Sequence, residues 1–381
     1  MPRLRELAPR GRRVFLRADL NAPLREGAVA DDTRLRASRE TLEWLRGQGG
    51  RVVLASHLGR PQGRRRPELS LRLVAEALGL PLAPDSVGPE VEAQVAELRD
   101  GDALLLENLR FHPGETRNAP EFVRALARLC DVYVDDAFGC MHRAHASIVG
   151  LARAVPTRAA GALVEREIEA LSRVRDRPDS PYLCIVGGAK VSDKLAVLGA
   201  LCERADVICI GGAMAYTFLA ARGEPTGRSK IEPDLIEKAR DLARRARELI
   251  LPCDHIVAPS PEEGARARAV RTIPEDELAL DIGPESVAVL ESRIRVARTV
   301  FWNGPLGLFE RAPFDAGTLA VARALAESPA YSVVGGGDSI AALRAAGVAD
   351  RVDHVSTGGG ASLEFLEGRP LPGIEALRFD R

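Results

Sequence analysis

Short apolar, β-branched runs alternate along the whole chain with longer stretches of helical period. RVFLRA (13–18), RVVLAS (51–56), ALLLEN (103–108) and DVYVDD (131–136) fall in the first half. YLCIVGG (182–188), DVICIGG (206–212), DHIVAP (254–259), TVFWNG (299–304), YSVVGG (331–336) and DHVSTGG (353–359) fall in the second. Between them, stretches such as APEFVRALARLC (119–130) and DLIEKARDLARRARELI (234–250) space their apolar residues as a helix face does. Continuous apolar strands alternating with amphipathic helices predict an α/β fold, with parallel sheets covered by helices on both faces.

A length of 381 residues exceeds one ordinary core, so two domains are expected. In TRAAGALVEREIEALSRVRD (157–176), Val164, Ile168, Leu171 and Val174 recur at helical spacing, which predicts a helix bridging the two. The boundaries are then 1–156 for the first domain, 157–176 for the bridge and 177–366 for the second. The tail 367–381 contains two prolines after the last glycine cluster and is expected to run back across the molecule.

Charge narrows the partners: 53 Lys+Arg against 54 Asp+Glu leaves a net charge of −1, which argues against nucleic acid. No apolar run reaches membrane-spanning length and the N-terminus has no signal-peptide pattern, so a soluble, cytoplasmic protein is expected. The six cysteines (130, 140, 184, 202, 209 and 253) lie far apart without a CxxC pair, and read as free thiols. His142 and His145 in HRAH have ligand spacing, but no third metal ligand accompanies them.

The two halves differ in their chemistry. Glycine pairs or triplets close four strand-like runs of the second half: GGAK (187–190), GGAM (211–214), GGGD (335–338) and GGGA (358–361). Any one of these is equally well a tight turn. Together, at the carboxyl ends of parallel strands, they predict a site where bare N–H groups meet nucleotide phosphates. Neither a complete GxGxxG dinucleotide fingerprint nor GxxxxGK[ST] is present. The first half instead places Arg17, Arg34, His57, Arg60, Arg110 and Arg143 at strand ends and early loops, a set suited to a small polyanion. Only four of the 53 basic residues are lysine, and two of these, Lys190 and Lys194, lie beside the first glycine pair. That spacing predicts both ammoniums on one face at a helix start, where positive charge is unfavourable unless an anion is bound. Phosphoryl transfer between a nucleotide and a small anion follows from the residues alone.

The motifs RADLNAPL (17–24), SHLGRPQG (56–63), LLENLRFHPGE (105–115), DDAFGCMHRAHAS (135–147), GGAKVSDK (187–194), GGAMAYTFL (211–219), LDIGP (280–284), FWNGPLGLFE (301–310), GGGDS (335–339) and STGGGASLE (356–364) resemble, in the same order, those of the phosphoglycerate kinases. The resemblance implies two Rossmann-like three-layer αβα domains, their parallel sheets facing each other across a hinged cleft. It implies a monomer that transfers the acyl phosphate of 1,3-bisphosphoglycerate to ADP, with Mg²⁺ on the nucleotide.

Carried over by position, it puts Asp19, Leu20 and Asn21 at the glycerate and Arg34 beside the transferred phosphoryl. His57, Leu58, Gly59, Arg60, Arg110 and Arg143 fall around the 3-phosphate. Lys190 follows the transferred group and Lys194 meets the nucleotide phosphates, with Arg34 and Lys190 as the catalytic pair. Gly211, Gly212 and Gly283 match the adenine pocket, Asn303 and Pro305 the nucleotide wall, and Glu310 the ribose. Gly336, Gly337, Asp338 and Ser339 match the phosphate loop, with Asp338 as the metal ligand. Asp135 departs from the expected asparagine and Ser339 from the frequent threonine, while the loop at 61–67 is short and unusually basic. The rival readings are a nicotinamide dehydrogenase, which the missing fingerprint weakens, and a non-catalytic nucleotide-binding regulator, which would not need Arg34, Lys190 and Lys194 together.

Overall fold

β-Branched and leucine-rich runs that bury both faces pair into parallel sheets, because only helical crossovers can cover both sides. In the computed structural model, which describes residues 1–25 and 27–378, two such sheets form. The chain divides into two compact units, Met1–Glu169 with Pro370–Arg381, and Ala170–Arg369. That division falls within one helix, Ala162–Asp176.

The first unit carries a five-stranded parallel sheet in the order Ala103–Leu105, Arg51–Ala55, Arg13–Ala18, Val132–Asp136, Thr157–Ala160. Its core joins Val14, Leu16, Val52, Leu54, Leu105, Val132 and Val134 to Leu35, Leu42 and Leu45 of the helix Thr33–Gly47. Each fully buried side chain of this size contributes about 1.5–3 kcal/mol. The second unit's main sheet has six parallel strands, in the order Leu249–Ile250, Val207–Ile210, Tyr182–Val186, Thr299–Asn303, Tyr331–Gly335, His354–Ser356. Trp302, fully buried, packs there with Ile185, Val300, Val334 and Leu325.

In both sheets the strand order reverses between neighbours: at Arg13–Ala18 beside Val132–Asp136, and at Tyr182–Val186 beside Thr299–Asn303. Open α/β sheets bind ligands just beyond the carboxyl ends of the strands at such a reversal.

Three expectations are corrected. The run 254–259 supplies His255–Ala258, which belongs to a separate antiparallel sheet with Arg268–Val270 and Leu278–Ile282. Its expected place in the main sheet is taken by Leu249–Ile250, which pairs with Ile208 and Cys209. The helix expected over 234–250 accordingly stops at Arg245. The bridging helix starts at Ala162, because Thr157–Ala160 extends as the edge strand of the first sheet. In the C-terminal segment, Pro370–Arg378 belongs to the first unit: the Gly373 amide donates to the Met141 carbonyl at 2.9 Å and Arg158 Nη2 to that of Arg378 at 2.8 Å. Residues 379–381 of the expected tail lie outside the described residues. Among the described residues no helix is long and apolar enough to cross a membrane.

Candidate functional site

The expected residues of the first unit gather at the carboxyl ends of its strands. Asp19, Leu20 and Asn21 follow Arg13–Ala18, His57 to Arg60 follow Arg51–Ala55, and Arg110 follows Ala103–Leu105. The turns are held by buried amides and hydroxyls. Asn21 Oδ1 accepts from the Gly59 amide at 2.8 Å, and Ser56 Oγ from the Leu20 amide at 2.8 Å. Asn108, fully buried, donates to the carbonyls of Leu58 and Leu69 and accepts from the Arg110 amide at 3.0 Å. Leu20 and Leu58 are core residues, so they can offer a ligand only backbone.

Arg17 is wholly buried, a costly place for a charge unless it is hydrogen-bonded. Its Nε donates to Ser147 Oγ at 2.9 Å, Nη1 to the Ala18 carbonyl, and Nη2 lies 3.2 Å from His57 Nδ1 and 3.7 Å from Cys140 Sγ. A guanidinium only donates, so His57 Nδ1 must accept and the ring hydrogen sits on Nε2. Burial, reinforced by the charges of Arg17, Arg110, Arg143 and Arg34, holds the His57 pKa well below the ordinary histidine value. His57 is therefore a neutral Nε2–H donor. Asp19, His57 and Cys140 bring donor atoms within 4.8 Å of one another. Arg17 already occupies two of those three, however, and the surrounding arginines suit an anion. Among the described residues the HRAH histidines gather no metal set: His142 Nε2 accepts from Arg143 Nε at 3.0 Å, and His145 Nδ1 lies 3.6 Å from Glu115.

Arg110 is the incomplete member. Its Nη1 donates to the Gly59 carbonyl at 2.8 Å, while Nε and Nη2 are buried with no hydrogen-bond partner among the described residues. Burial pulls its pKa down to about 10, with Arg143 and Arg17 adding to the effect, so it stays charged at neutral pH. Arg34 pairs with Asp19 at 2.8 Å, Arg143 is half-buried, and Arg60 is exposed. Asp135, the departure from pattern, is buried; it accepts from Tyr133 Oη and the Ala137 amide, both at 2.9 Å, and burial raises its pKa to about 6.

In the second unit the strand ends meet backbone to backbone. A Cβ on Gly187 would overlap the Pro305 carbonyl oxygen, so only glycine lets these two ends close. Lys194 Nζ spans that seam, donating to the Gly187 carbonyl at 2.5 Å and to the Asn303 carbonyl and Oδ1 at 2.8 and 2.6 Å. Burial pulls its pKa down to about 8, opposed by Asp338 and Asp193.

The expected helix start is corrected here. Residues 191–194 form turns, the helix runs Leu195–Cys202 with Lys194 at its N-cap, and the two lysines do not share a helical face. Lys190 is exposed on the loop ahead, whose Val191 and Ser192 amides donate to Glu232 at 2.6 and 3.2 Å.

Tyr331–Gly335 leads into the helix Gly337–Ala345 through Gly336 at φ 92°, a conformation that favours glycine. Gly337, Asp338 and Ser339 thus form the opening turn of a helix, where backbone N–H groups attract anions. Ser339 is buried and its Oγ accepts from the Gly304 amide at 2.6 Å, while Asp338 is exposed.

A neighbouring cavity of about 200 Å³ is lined by Gly188, Ala189, Gly212, Ala213, Tyr216, Ala279, Leu280, Pro305, Leu306, Gly307, Leu308, Glu310 and Asp338. Gly212, Pro305, Glu310 and Asp338 were expected there. Gly211 and Gly283 do not line it: Gly211 packs against Leu306, and Gly283 sits before the helix Pro284–Val296 with no room for a Cβ beside Asp254. Ala189, Ala213, Tyr216, Ala279, Leu280 and Leu308 had no polar signature to find them by.

The profile of the phosphoglycerate kinase family matches residues 4–369. A phosphoglycerate kinase of Anaeromyxobacter sp. (strain K) is 51% identical over 381 residues, covering 96% of each chain. One of Solibacter usitatus (strain Ellin6076) is 50% identical, covering 98% of each. Among solved structures, phosphoglycerate kinase from Coxiella burnetii superposes with a TM-score of 0.88 at 38% identity, over 98% of this chain and 97% of that one. That from Pyrococcus horikoshii OT3 gives 0.87 at 34% identity, over 99% and 98%. With these matches running the length of both units, the chain belongs to the phosphoglycerate kinase family.

Proposed function

We propose that this chain carries out the family's reaction with the residues assembled above: the first unit holds the three-carbon acid and the second the nucleotide. The reaction is phosphoryl transfer from 1,3-bisphosphoglycerate to ADP, giving 3-phosphoglycerate and ATP. A terminal oxygen of ADP attacks the acyl phosphorus, the bond from phosphorus to the carboxyl oxygen breaks, and the carboxylate leaves. No proton moves. In reverse the nucleophile is that carboxylate, ionised at neutral pH because such groups titrate near ~4, so no general base is required.

The observation that carries the assignment is Arg110: a guanidinium with two buried nitrogens unpartnered among the described residues, close to neutral His57. Leaving such donors unsatisfied is expensive, and a phosphate oxygen supplies the acceptors. In this reading Arg110, His57 Nε2–H, Arg143 and Arg60 bind the 3-phosphate, while Asp19 and Asn21 orient the glycerate. Arg34 and Lys190 meet the transferred group and offset charge on its equatorial oxygens.

The apolar pocket between Gly212 and Leu308 suits an adenine ring, with Glu310 at the ribose. The Gly336–Ser339 turn and Lys194 suit the phosphates. Asp338, a single exposed carboxylate beside that turn, fits an Mg²⁺ held mainly by nucleotide phosphates. When bound, Mg²⁺ would neutralise charge on the nucleotide phosphates. Acyl phosphates hydrolyse readily, so water has to be excluded during transfer. The helix Ala162–Asp176, where the division into units falls, is the place to test for a hinge. A monomeric, cytoplasmic enzyme completes the reading.

A coupled assay of ATP-dependent phosphorylation of 3-phosphoglycerate tests the assignment. Wild type should turn over, and Arg110→Ala should raise the KM for 3-phosphoglycerate while leaving that for ATP within about twofold; the charge-assisted bonds at stake are worth ~1.5–3 kcal/mol. An unchanged KM for 3-phosphoglycerate would count against the cradle.

A further inference from the structure

Asp281 is a fully buried carboxylate that the transfer chemistry does not use. It sits on the strand Leu278–Ile282, whose Ala279 and Leu280 form one wall of the apolar pocket. A second, adjoining wall, Pro305 to Leu308 and Glu310, belongs to the loop that runs into the helix Ala316–Glu327.

Asp281 ties these walls together. Its Oδ1 accepts from the Ile282 amide at 2.9 Å and its Oδ2 from the Gly317 amide at 2.8 Å. Gly317 is in the first turn of Ala316–Glu327, where Asp315 at the N-cap makes no side-chain capping bond. A carboxylate from a different strand thus caps that helix, in the orientation its dipole favours. The same carboxylate presses on the pocket loop so closely that a Cβ at Gly307 or Gly317 would collide with it. Around it, Leu308 donates to the Leu280 carbonyl at 2.7 Å and Leu306 to Thr318 Oγ1 at 3.0 Å.

We propose that Asp281 is a positioning residue for the nucleotide: in its ionised form it braces the two walls of the base pocket, and on protonation the brace loosens. The inference rests on the reading of this pocket as the adenine site. Burial lifts the Asp281 pKa to about 7, against the pull of the two amide hydrogen bonds and with a further push from Asp315. The titratable groups facing it are Asp315 and Tyr216 of the helix Met214–Ala221. Tyr216 also lines the pocket, and burial, with a further push from Asp281, raises its pKa well above the ordinary phenol value. Tyr216 therefore stays neutral over the range in which Asp281 changes charge. A protonated carboxyl cannot offer two full acceptors, and a neutral acceptor is weaker than a charged one.

Adenosine is the probe that isolates the brace, because it carries no phosphate to titrate or to meet Lys194. Its dissociation constant is measured by calorimetry between about pH 6 and 8.5, in wild type and in Asp281→Asn. Wild-type affinity is expected to tighten about fivefold as pH rises through 7, the worth of roughly one hydrogen bond. Asp281→Asn should bind about fivefold more weakly at pH 8.5, with a flat profile, while the KM for 3-phosphoglycerate stays within about twofold. If the variant fails to fold, the wild-type profile alone decides. A wild-type affinity independent of pH would overturn the role of Asp281 and leave the adenine reading standing. No saturable adenosine binding to wild type would overturn both.

Discussion

In the proposed function the two units recognise anions in opposite ways. The first uses side-chain charge kept dry: Arg17 at 0% exposure and Arg110 at 6%, with His57 held neutral between them. Its charges are expensive to bury and are fixed by a network of Ser147, Asn108 and backbone carbonyls. The second uses backbone: strand ends closed by glycine, the open turn of a helix at Gly336–Ser339, and one lysine tied into the seam. Rigid guanidinium forks suit a small ligand with fixed phosphate and carboxylate positions. Bare amides suit a phosphate chain whose terminal group is gained and lost in each cycle.

The largest effect that would sharpen this contrast is on turnover. Lys190→Ala should lower kcat about 100- to 1000-fold, the usual loss when one transition-state donor is removed, with the ADP dissociation constant changed less than about threefold. Near-normal turnover removes Lys190 from the catalytic pair. Next comes the cradle: Arg110→Ala should raise the KM for 3-phosphoglycerate about 10- to 100-fold. A matching rise for ATP breaks the division between units.

A smaller, pH-dependent effect belongs to the second unit alone. Lys194 has its pKa pulled down to about 8 by burial, and bound phosphate favours the ammonium. As pH rises through 8 the free protein loses that charge. ADP affinity should therefore weaken up to about tenfold between pH 7 and 9, as one proton per site requires. Calorimetry checks this, and 3-phosphoglycerate affinity should not follow. The smallest effect is at the thiols. Burial pushes Cys140 in the cradle up to about 12, whereas Cys253 is exposed. Iodoacetamide should label Cys253 while activity stays within about twofold, and mass spectrometry locates the adduct. Labelling of Cys140 in the folded protein would show that the cradle is wet.

The contrast also explains what could be read in advance. Strands and their parallel pairing were legible because runs such as YLCIV and TVFWN bury both faces. The switch-point residues were legible because strand-end glycines and arginines are chemically distinctive. Leu249–Ile250 was missed because two apolar residues at the end of a helical pattern carry no strand period of their own. The start of Leu195–Cys202 was misplaced because Lys194 folds back onto carbonyls that only the neighbouring strand provides. Asn108, Asp281 and the alanines of the cavity beside Gly212 escaped for a related reason. Their roles arise from tertiary packing, and residue type alone does not announce it.

Central to the account is that each ligand has its own unit, and amide chemical-shift mapping of the wild-type protein tests this most directly. 3-Phosphoglycerate alone should move signals of Asp19–Asn21, His57–Arg60, Arg110 and Arg143, and ADP alone those of Gly188, Gly212 and Gly336–Ser339. Perturbation of Gly336–Ser339 by 3-phosphoglycerate, with Arg110 and His57 unmoved, would contradict it.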